Sequence, residues 1–263
     1  MPESGLPRLH FHRYEFKYLL DPDTLPGVIR ELDLRLQRDV NSGAEGDYFV
    51  RSHYFDTDSF ELYHEKLAGL RKRYKFRLRS YSASSSYVQP LFLELKGRNG
   101  NLVYKHRMLL DPSDTEEALG RGTTDLAGLL MQRQDLCNTG RRFVYDVFRK
   151  RISPSVVVDY RRTAFENRAN PDFRVTLDRG TMAYRSFPTG HPHTECYGIS
   201  DGFQVLEIKF RYRMPAWFLR LIQEFQLDLV SFSKFAYATG AVYMDSLPSS
   251  LDRLFERRPA CLS

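Results

Sequence analysis

The sequence predicts an α+β protein built on about eight antiparallel strands, six of them ionic on one face and apolar on the other. Three observations carry this. First, Leu70 to Tyr81 (LRKRYKFRLRSY) places Arg71, Arg73, Lys75, Arg77 and Arg79 on alternate residues, with Tyr74, Phe76 and Leu78 between them. Alternate side chains share a face in a strand, so one face is a row of cations and the other an apolar stripe. Second, the same two-residue period returns in other segments. Third, the strand-like segments follow one another through hairpins or short helices, which favours antiparallel pairing.

The chain has 263 residues, 42% of them hydrophobic and 14% aromatic, enough for a sizeable core. Residues 1–9 read as a flexible start, 10–245 as one domain and 246–263 as a loosely held tail. His10 to Leu20 reads as a strand with Arg13, Glu15 and Lys17 on one face. Pro22 to Arg38 carries Val28, Ile29, Leu32 and Leu36 at helical spacing, with Asp23 or Thr24 as cap and Pro26 in the first turn. Residues 41–47 form a polar loop. Tyr48 to Phe55 is a strand, and Asp58 to Leu67 a short helix ending at Gly69. The cationic strand follows, then a serine-rich turn at 82–87.

Pro90 to Lys96 and Leu102 to Leu110 make a hairpin around Gly97-Arg98-Asn99-Gly100. Glu94 and Lys96 share a face in its first strand, Lys105 and Arg107 in its second. Helices cover Asp114 to Gly120, Thr124 to Leu136 and Arg141 to Ile152. Ser155 to Ala164 is a strand with Tyr160 and Arg162 together, and Phe173 to Asp178 another with Arg174, Thr176 and Asp178 together. Thr181 to Phe203 reads as irregular, and its His191, His193 and Cys196 read as a surface loop before a metal site. Gln204 to Arg213 is a strand carrying Glu207, Lys209 and Arg211. Pro215 to Gln226 is a helix buried through Trp217, Phe218, Leu221, Ile222 and Phe225. A polar link at 231–234 leads to a last helix over Ala236 to Met244.

Thirty-nine Lys and Arg stand against 33 Asp and Glu, a net charge of +6. So small an excess makes the distribution of charge matter more than its total. An open sheet with its charged side in water accounts for the pattern, and so does a closed barrel with a polar interior and helices outside. The barrel also explains the many helices with apolar faces and the pairing of carboxylates with cations at Glu15 and Lys17, Glu94 and Lys96, and Glu207 and Lys209. Such carboxylates weaken a grip on a nucleic acid backbone and suit a divalent ion bound together with phosphates. Ordinary cross-strand ion pairs are the plainer alternative. There is no GxxxxGK[ST] phosphate loop, no CxxC pair, no signal peptide and no run of about 18 apolar residues that would span a membrane. Three widely spaced cysteines, Cys137, Cys196 and Cys261, point to reduced thiols and a cytoplasmic setting.

Nine segments, in order, carry a family resemblance: RYEFKYLL (13–20), RSHYFDT (51–57), YKFRLRSY (74–81), LFLELK (91–96), YKHR (104–107), YRRTAFEN (160–167), FRVTLD (173–178), VLEIKF (205–210) and FSKF (232–235). The chain resembles the vacuolar transporter chaperone (VTC) domain, the polyphosphate polymerase branch of the triphosphate tunnel metalloenzymes, or CYTH superfamily. The resemblance implies a closed tunnel of eight antiparallel strands with a basic interior and helices packed outside. It implies that Lys17, Arg77, Arg79, Lys96, Lys105, Arg162, Arg174 and Lys234 contact phosphates, that Ser233 lies beside them, and that Glu207 holds Mn²⁺ or Mg²⁺. Lys17, Arg77, Arg79, Glu207 and Lys234 form the expected catalytic set. The implied reaction moves the terminal phosphoryl group of ATP onto polyphosphate. No nucleic acid partner is expected.

Two positions depart from the pattern. Arg13 stands where tunnel hydrolases carry a first glutamate, which leans toward the polymerase branch. Ser231 stands where polymerase members can carry a further lysine. A triphosphate hydrolase and a noncatalytic polyphosphate-binding module are the alternative readings.

Overall fold

The computed structural model describes residues 14–39, 46–83, 86–100, 102–187, 192–200 and 202–244. The start and tail expected at 1–9 and 246–263 lie outside these residues, as do His10, His12, Arg13 and His191. Among the described residues ten strands form one antiparallel sheet. They are β1 (Tyr14–Leu20), β2 (Gln37–Arg38), β3 (Tyr48–Asp56), β4 (Lys72–Ser80), β5 (Leu91–Asn99), β6 (Leu102–Leu110), β7 (Ser153–Glu166), β8 (Arg174–Ser186), β9 (Pro192–Gly198) and β10 (Gln204–Phe210). Eight of them follow one path, β1-β10-β8-β7-β3-β4-β5-β6, while β2 pairs with β7 and β9 with β8. Seven helices accompany them: α1 (Leu25–Arg35), α2 (Glu61–Leu67), α3 (Pro112–Arg121), α4 (Thr123–Met131), α5 (Asn138–Lys150), α6 (Ala216–Glu224) and α7 (Lys234–Tyr243).

The two faces of the strands separate as the alternation requires. Outward from β4, β5 and β6 point Phe76, Leu78, Leu91, Leu93, Leu95 and Met108, which pack under α3, α4 and α5 through Leu119, Leu126, Leu130, Phe143 and Val147. Outward from β1, β8 and β10 point Tyr18, Leu20, Val175, Leu177, Leu206 and Ile208, which pack under α1 and α6 through Val28, Leu32, Phe218 and Leu221. A fully buried side chain of this size contributes about 1.5–3 kcal/mol. These two layers therefore hold the sheet curved against the cost of charge on its other face.

Two details differ from the expected barrel. Among the described residues β1 and β6 share no ladder, so hydrogen bonds do not close the sheet. The free edge of β1 is taken by residues 229–230 instead: Tyr18 bridges Leu229, and Val230 donates its N–H to the Lys17 carbonyl at 2.8 Å. Covering an edge in this way satisfies its backbone groups. Secondly, not every helix lies outside. Phe235, Ala236 and Ala238 of α7, with Leu62 and Tyr63 of α2, pack on Val50, Tyr54, Val156, Val158 and Val205, on the inner face. That inner patch is apolar because β7 carries a run of valines there.

Segment limits moved in several places, and the cap of α1 differs. The irregular stretch predicted at 181–203 holds the end of β8 and all of β9. Its alternating apolar residues are few, so the period-two signal was weak. The hairpin strands run on to Asn99 and Leu102, which pair directly, and the turn centres on Gly100 with φ +60°. Neither Asp23 nor Thr24 caps α1 with its side chain; Asp21 Oδ1 accepts the Thr24 N–H at 2.7 Å.

The entry to α2 turns on one buried carboxylate. Asp56, at the end of β3, accepts the backbone N–H groups of Thr57, Leu62 and Tyr63 at 2.8, 2.9 and 3.0 Å. It thereby satisfies donors that a helix start leaves unpaired. We expect Asp56→Ala to lower stability in urea denaturation by about 2–3 kcal/mol, because those donors stay buried and unpartnered. A change near zero would show that the cap is dispensable.

Candidate functional site

Register places one set of ionic side chains on the inner face. Arg77 lies opposite Tyr54 on β3 and Glu94 on β5, and Glu94 lies opposite Arg107 on β6. Lys75, Lys96 and Lys105 form a second cross-strand row. From the other side Lys17 lies opposite Glu207, and Glu207 opposite Thr176. Arg162 lies opposite Asp178. The α7 N-terminus adds Ser233 and Lys234. Strand β1, at one end of the sheet path, meets β5, next to the other end, across the lumen, where Lys96 Nζ contacts Glu15 at 2.9 and 3.0 Å.

Four carboxylates organise these cations. Glu94, fully buried, receives Arg77 at 2.6 Å, Lys105 at 2.5 Å and Arg79 at 3.9 Å. Burial pushes its carboxyl up, but Arg77, Arg79 and Lys105 hold it well below the usual carboxylate range. Asp178 accepts both arms of Arg162 at 2.6 and 2.7 Å and Lys234 at 2.5 Å. Burial again acts upward, and these cations hold Asp178 at about 2. Glu207 contacts Lys209 and, at 3.6 Å, Lys17. Glu15 contacts Lys96 and, at 3.4 Å, Lys17. Burial and the neighbouring Glu207 raise Glu15, yet Lys96, Lys17 and Lys209 keep it at about 2. Lys17 is lowered by burial but raised more by Glu207, Glu15 and Asp178, to about 12, and it donates to the Phe232 carbonyl at 2.9 Å. The carboxylates of Glu15, Glu94, Asp178 and Glu207, and the Lys17 ammonium, are therefore charged near neutrality.

The remaining expected residues sit as follows. Arg79 donates to the Tyr160 hydroxyl at 2.9 Å and to Ser52 at 3.3 Å. Ser233 Oγ accepts the Ala236 N–H at 3.5 Å, capping α7. Arg174 stands on the same strand face but farther out: its side chain is 42% exposed and engages Asp39 and Glu166. Ser231 lines the same cavity as Lys17 and Lys96.

Lys75 belonged to the predicted cation row but not to the predicted site. It faces Lys96 across the ladder, and among the described residues its one hydrogen-bond partner is the Ser233 hydroxyl at 3.4 Å. Its ammonium otherwise lies over the Tyr54 and Phe235 rings. Burial, then Lys96 and Lys17, push it well below the ordinary lysine range. Among the described residues no carboxylate pairs with it. Asp178 and Tyr54 were also missed, although the alternation had already put Asp178 on the polar face.

The family implies a divalent metal, and the donor set can be tested for it. Glu15 and Glu207 lie close enough to disfavour each other's charge. No cluster of three or more metal-ligating side chains occurs among the described residues. One or two carboxylates with the rest of the shell from phosphates is the usual pattern for Mg²⁺. The residues fit that pattern.

Fold and lumen define the class: a curved antiparallel sheet whose concave side is a cation-lined lumen. Among solved structures, the chain is similar to an adenylyl cyclase candidate from Hippeastrum described as having dominant triphosphatase activity. The TM-score is 0.53 at 16% identity, covering 87% of this chain and 95% of that one. It is similar also to an adenylate cyclase candidate from Bacillus halodurans, with TM-score 0.52 at 14% identity, covering 85% of this chain and 96% of that one. Within the class, the chain belongs to the VTC domain family, whose model matches residues 12–243.

Two measurements test the electrostatics. Burial, then Arg77, lower Lys105 to about 7 even though Glu94 acts the other way. Its protonated form attracts phosphate, so tripolyphosphate affinity falls as pH rises through about 7. Lys105→Arg stays charged and should show a flatter profile in calorimetric titrations between about pH 6 and about pH 8. Parallel profiles would remove Lys105 from the anion site. Lys75→Met removes a cation with no counter-charge, and should raise stability by about 1–3 kcal/mol while weakening tripolyphosphate binding. Lower stability in a melt would contradict the assignment.

Proposed function

We propose that the chain is a polyphosphate polymerase that uses ATP. The observation that carries this is the lumen itself: in a VTC domain, cations from β1, β4, β5, β6, β7 and α7 face one lumen and gather around Glu15, Glu94, Asp178 and Glu207. Phosphoryl transfer depends mainly on positioning and charge stabilisation, and a lumen of this kind supplies both.

Lys75, Arg77, Arg79, Lys96 and Lys105 line one wall, and Lys17, Arg162 and Lys234 the opposite one. Together they lower the repulsion between two polyanionic reactants and hold them in line. The terminal oxygen of the polyphosphate chain attacks the γ-phosphorus of ATP. The bond from that phosphorus to the β–γ bridging oxygen breaks, and ADP leaves with the bridging oxygen. The chain end supplies the nucleophile, so no side chain forms a covalent intermediate. Lys75 is suited to stabilise charge on the transferring group, since no carboxylate among the described residues matches it, and Arg77 shares Glu94 with Arg79 and Lys105. Glu207, with Glu15 beside it, would hold Mn²⁺ or Mg²⁺, which when bound neutralises charge on the phosphate oxygens. ATP and polyphosphate are the proposed partners. Among the described residues no helix is long and apolar enough to cross a membrane.

Purified protein incubated with ATP and Mn²⁺ should give a ladder of polyphosphate on a gel, with ADP in matching amount. Glu207→Gln should abolish the ladder while circular dichroism shows an intact fold. Free phosphate without polymer would instead establish a triphosphate hydrolase. Tight triphosphate binding without turnover would leave a binding module.

A further inference from the structure

Outside the lumen, at one end of its wall, lies a second group of cations. Arg73 on β4 lies directly opposite Arg98 on β5. The next pair along this face is Lys75 opposite Lys96, also like-charged. Like charges directly opposite one another destabilise a ladder, so two such rungs in succession are not explained by sheet stability. Lys66, in the last turn of α2, faces the same group. Its ammonium is lowered by burial, then by Arg73, Lys17 and Arg98.

The inner and outer cations respond differently to this crowding. Lys96 is matched by Glu15. Lys66, Arg73 and Arg98 form no ion pair with any carboxylate among the described residues. Among the described residues Arg73 donates only to the Leu70 carbonyl, at 2.5 Å. The three line a cavity of about 490 Å³ that also reaches Lys17, Lys75 and Lys96, so it opens into the lumen. Arg73 and Arg98, with Arg71, also border a second cavity of about 410 Å³ farther out. The backbone holds this collar together: Gly100 of the β5–β6 turn donates its N–H to the Arg71 carbonyl at 2.8 Å.

We infer that Lys66, Arg73 and Arg98 form a separate polyanion subsite, which takes the part of a linear polyphosphate chain that extends beyond the lumen. This deepens the proposed function and rests on that reading of the lumen. The cations inside are largely balanced by protein carboxylates, and the collar is not. A triphosphate occupying the lumen does not need the collar. A longer chain lies across both, so its affinity rises with length.

The test measures equilibrium binding without ATP or metal, and so is separate from whether polymer is made. Inorganic tripolyphosphate and a sodium polyphosphate several times longer are titrated into the wild-type chain and into Lys66→Gln/Arg73→Gln/Arg98→Gln. The wild type should bind the longer chain at least tenfold more tightly. The triple variant should keep its tripolyphosphate affinity within about twofold and lose most of the length-dependent gain, as expected for lost charge-assisted contacts. Its melting temperature should be unchanged or higher, because repulsion between rungs is relieved. No length dependence in the wild type, or its persistence in the variant, would overturn the subsite. An equal loss for both ligands would show that these residues belong to the triphosphate site, and a lower melting temperature that they are structural.

Discussion

Most of this structure answers to one constraint: cations and carboxylates face the inside of a curved sheet, where isolated charge is costly. The chain meets it with four carboxylates. Glu94 gathers Arg77, Arg79 and Lys105, Asp178 gathers Arg162 and Lys234, and Glu15 and Glu207 share the lysines of β1, β5 and β10. Removing one partner from such a set leaves a stranded charge, so the carboxylates shape the lumen even where they touch no substrate. The balance is deliberately incomplete at Lys75, whose contact to an oxygen is a hydroxyl and whose ammonium is held below its ordinary range.

The apolar parts serve this arrangement. Helices α1 and α6 on one side and α3 to α5 on the other cover the outward faces, and their burial offsets the charge within. Helix α7 does the opposite work. It enters the concavity, seals an apolar patch around Val156 and Val158, and so brings Ser233 and Lys234 to the lumen. The segment before it covers the free edge of β1 and sets the Phe232 carbonyl against Lys17. The sheet thus needs no closing ladder.

Much of the fold was legible because period two is strong in β1, β4, β5 and β10, where ionic and apolar residues alternate over most of each strand. It was weak around β9, where proline, glycine and small polar residues break the pattern. The same alternation placed Lys17, Arg77, Lys96, Arg162 and Glu207 on polar faces. It could not reveal that Arg174 sits near the rim with Asp39, because Asp39 follows β2 and only the fold brings it near β8.

The sequence by itself determined which residues share a face, and hence that a polar lumen was available, because side-chain direction along a strand is local geometry. Its nine ordered segments also determined the family. Only the tertiary structure decided which charge meets which. Glu15 lies on β1 at one end of the sheet path and Lys96 on β5, one strand short of the other end, and Lys66 meets Arg73 and Arg98 from a helix. Those meetings depend on curvature and register summed over the whole sheet, which no local pattern encodes.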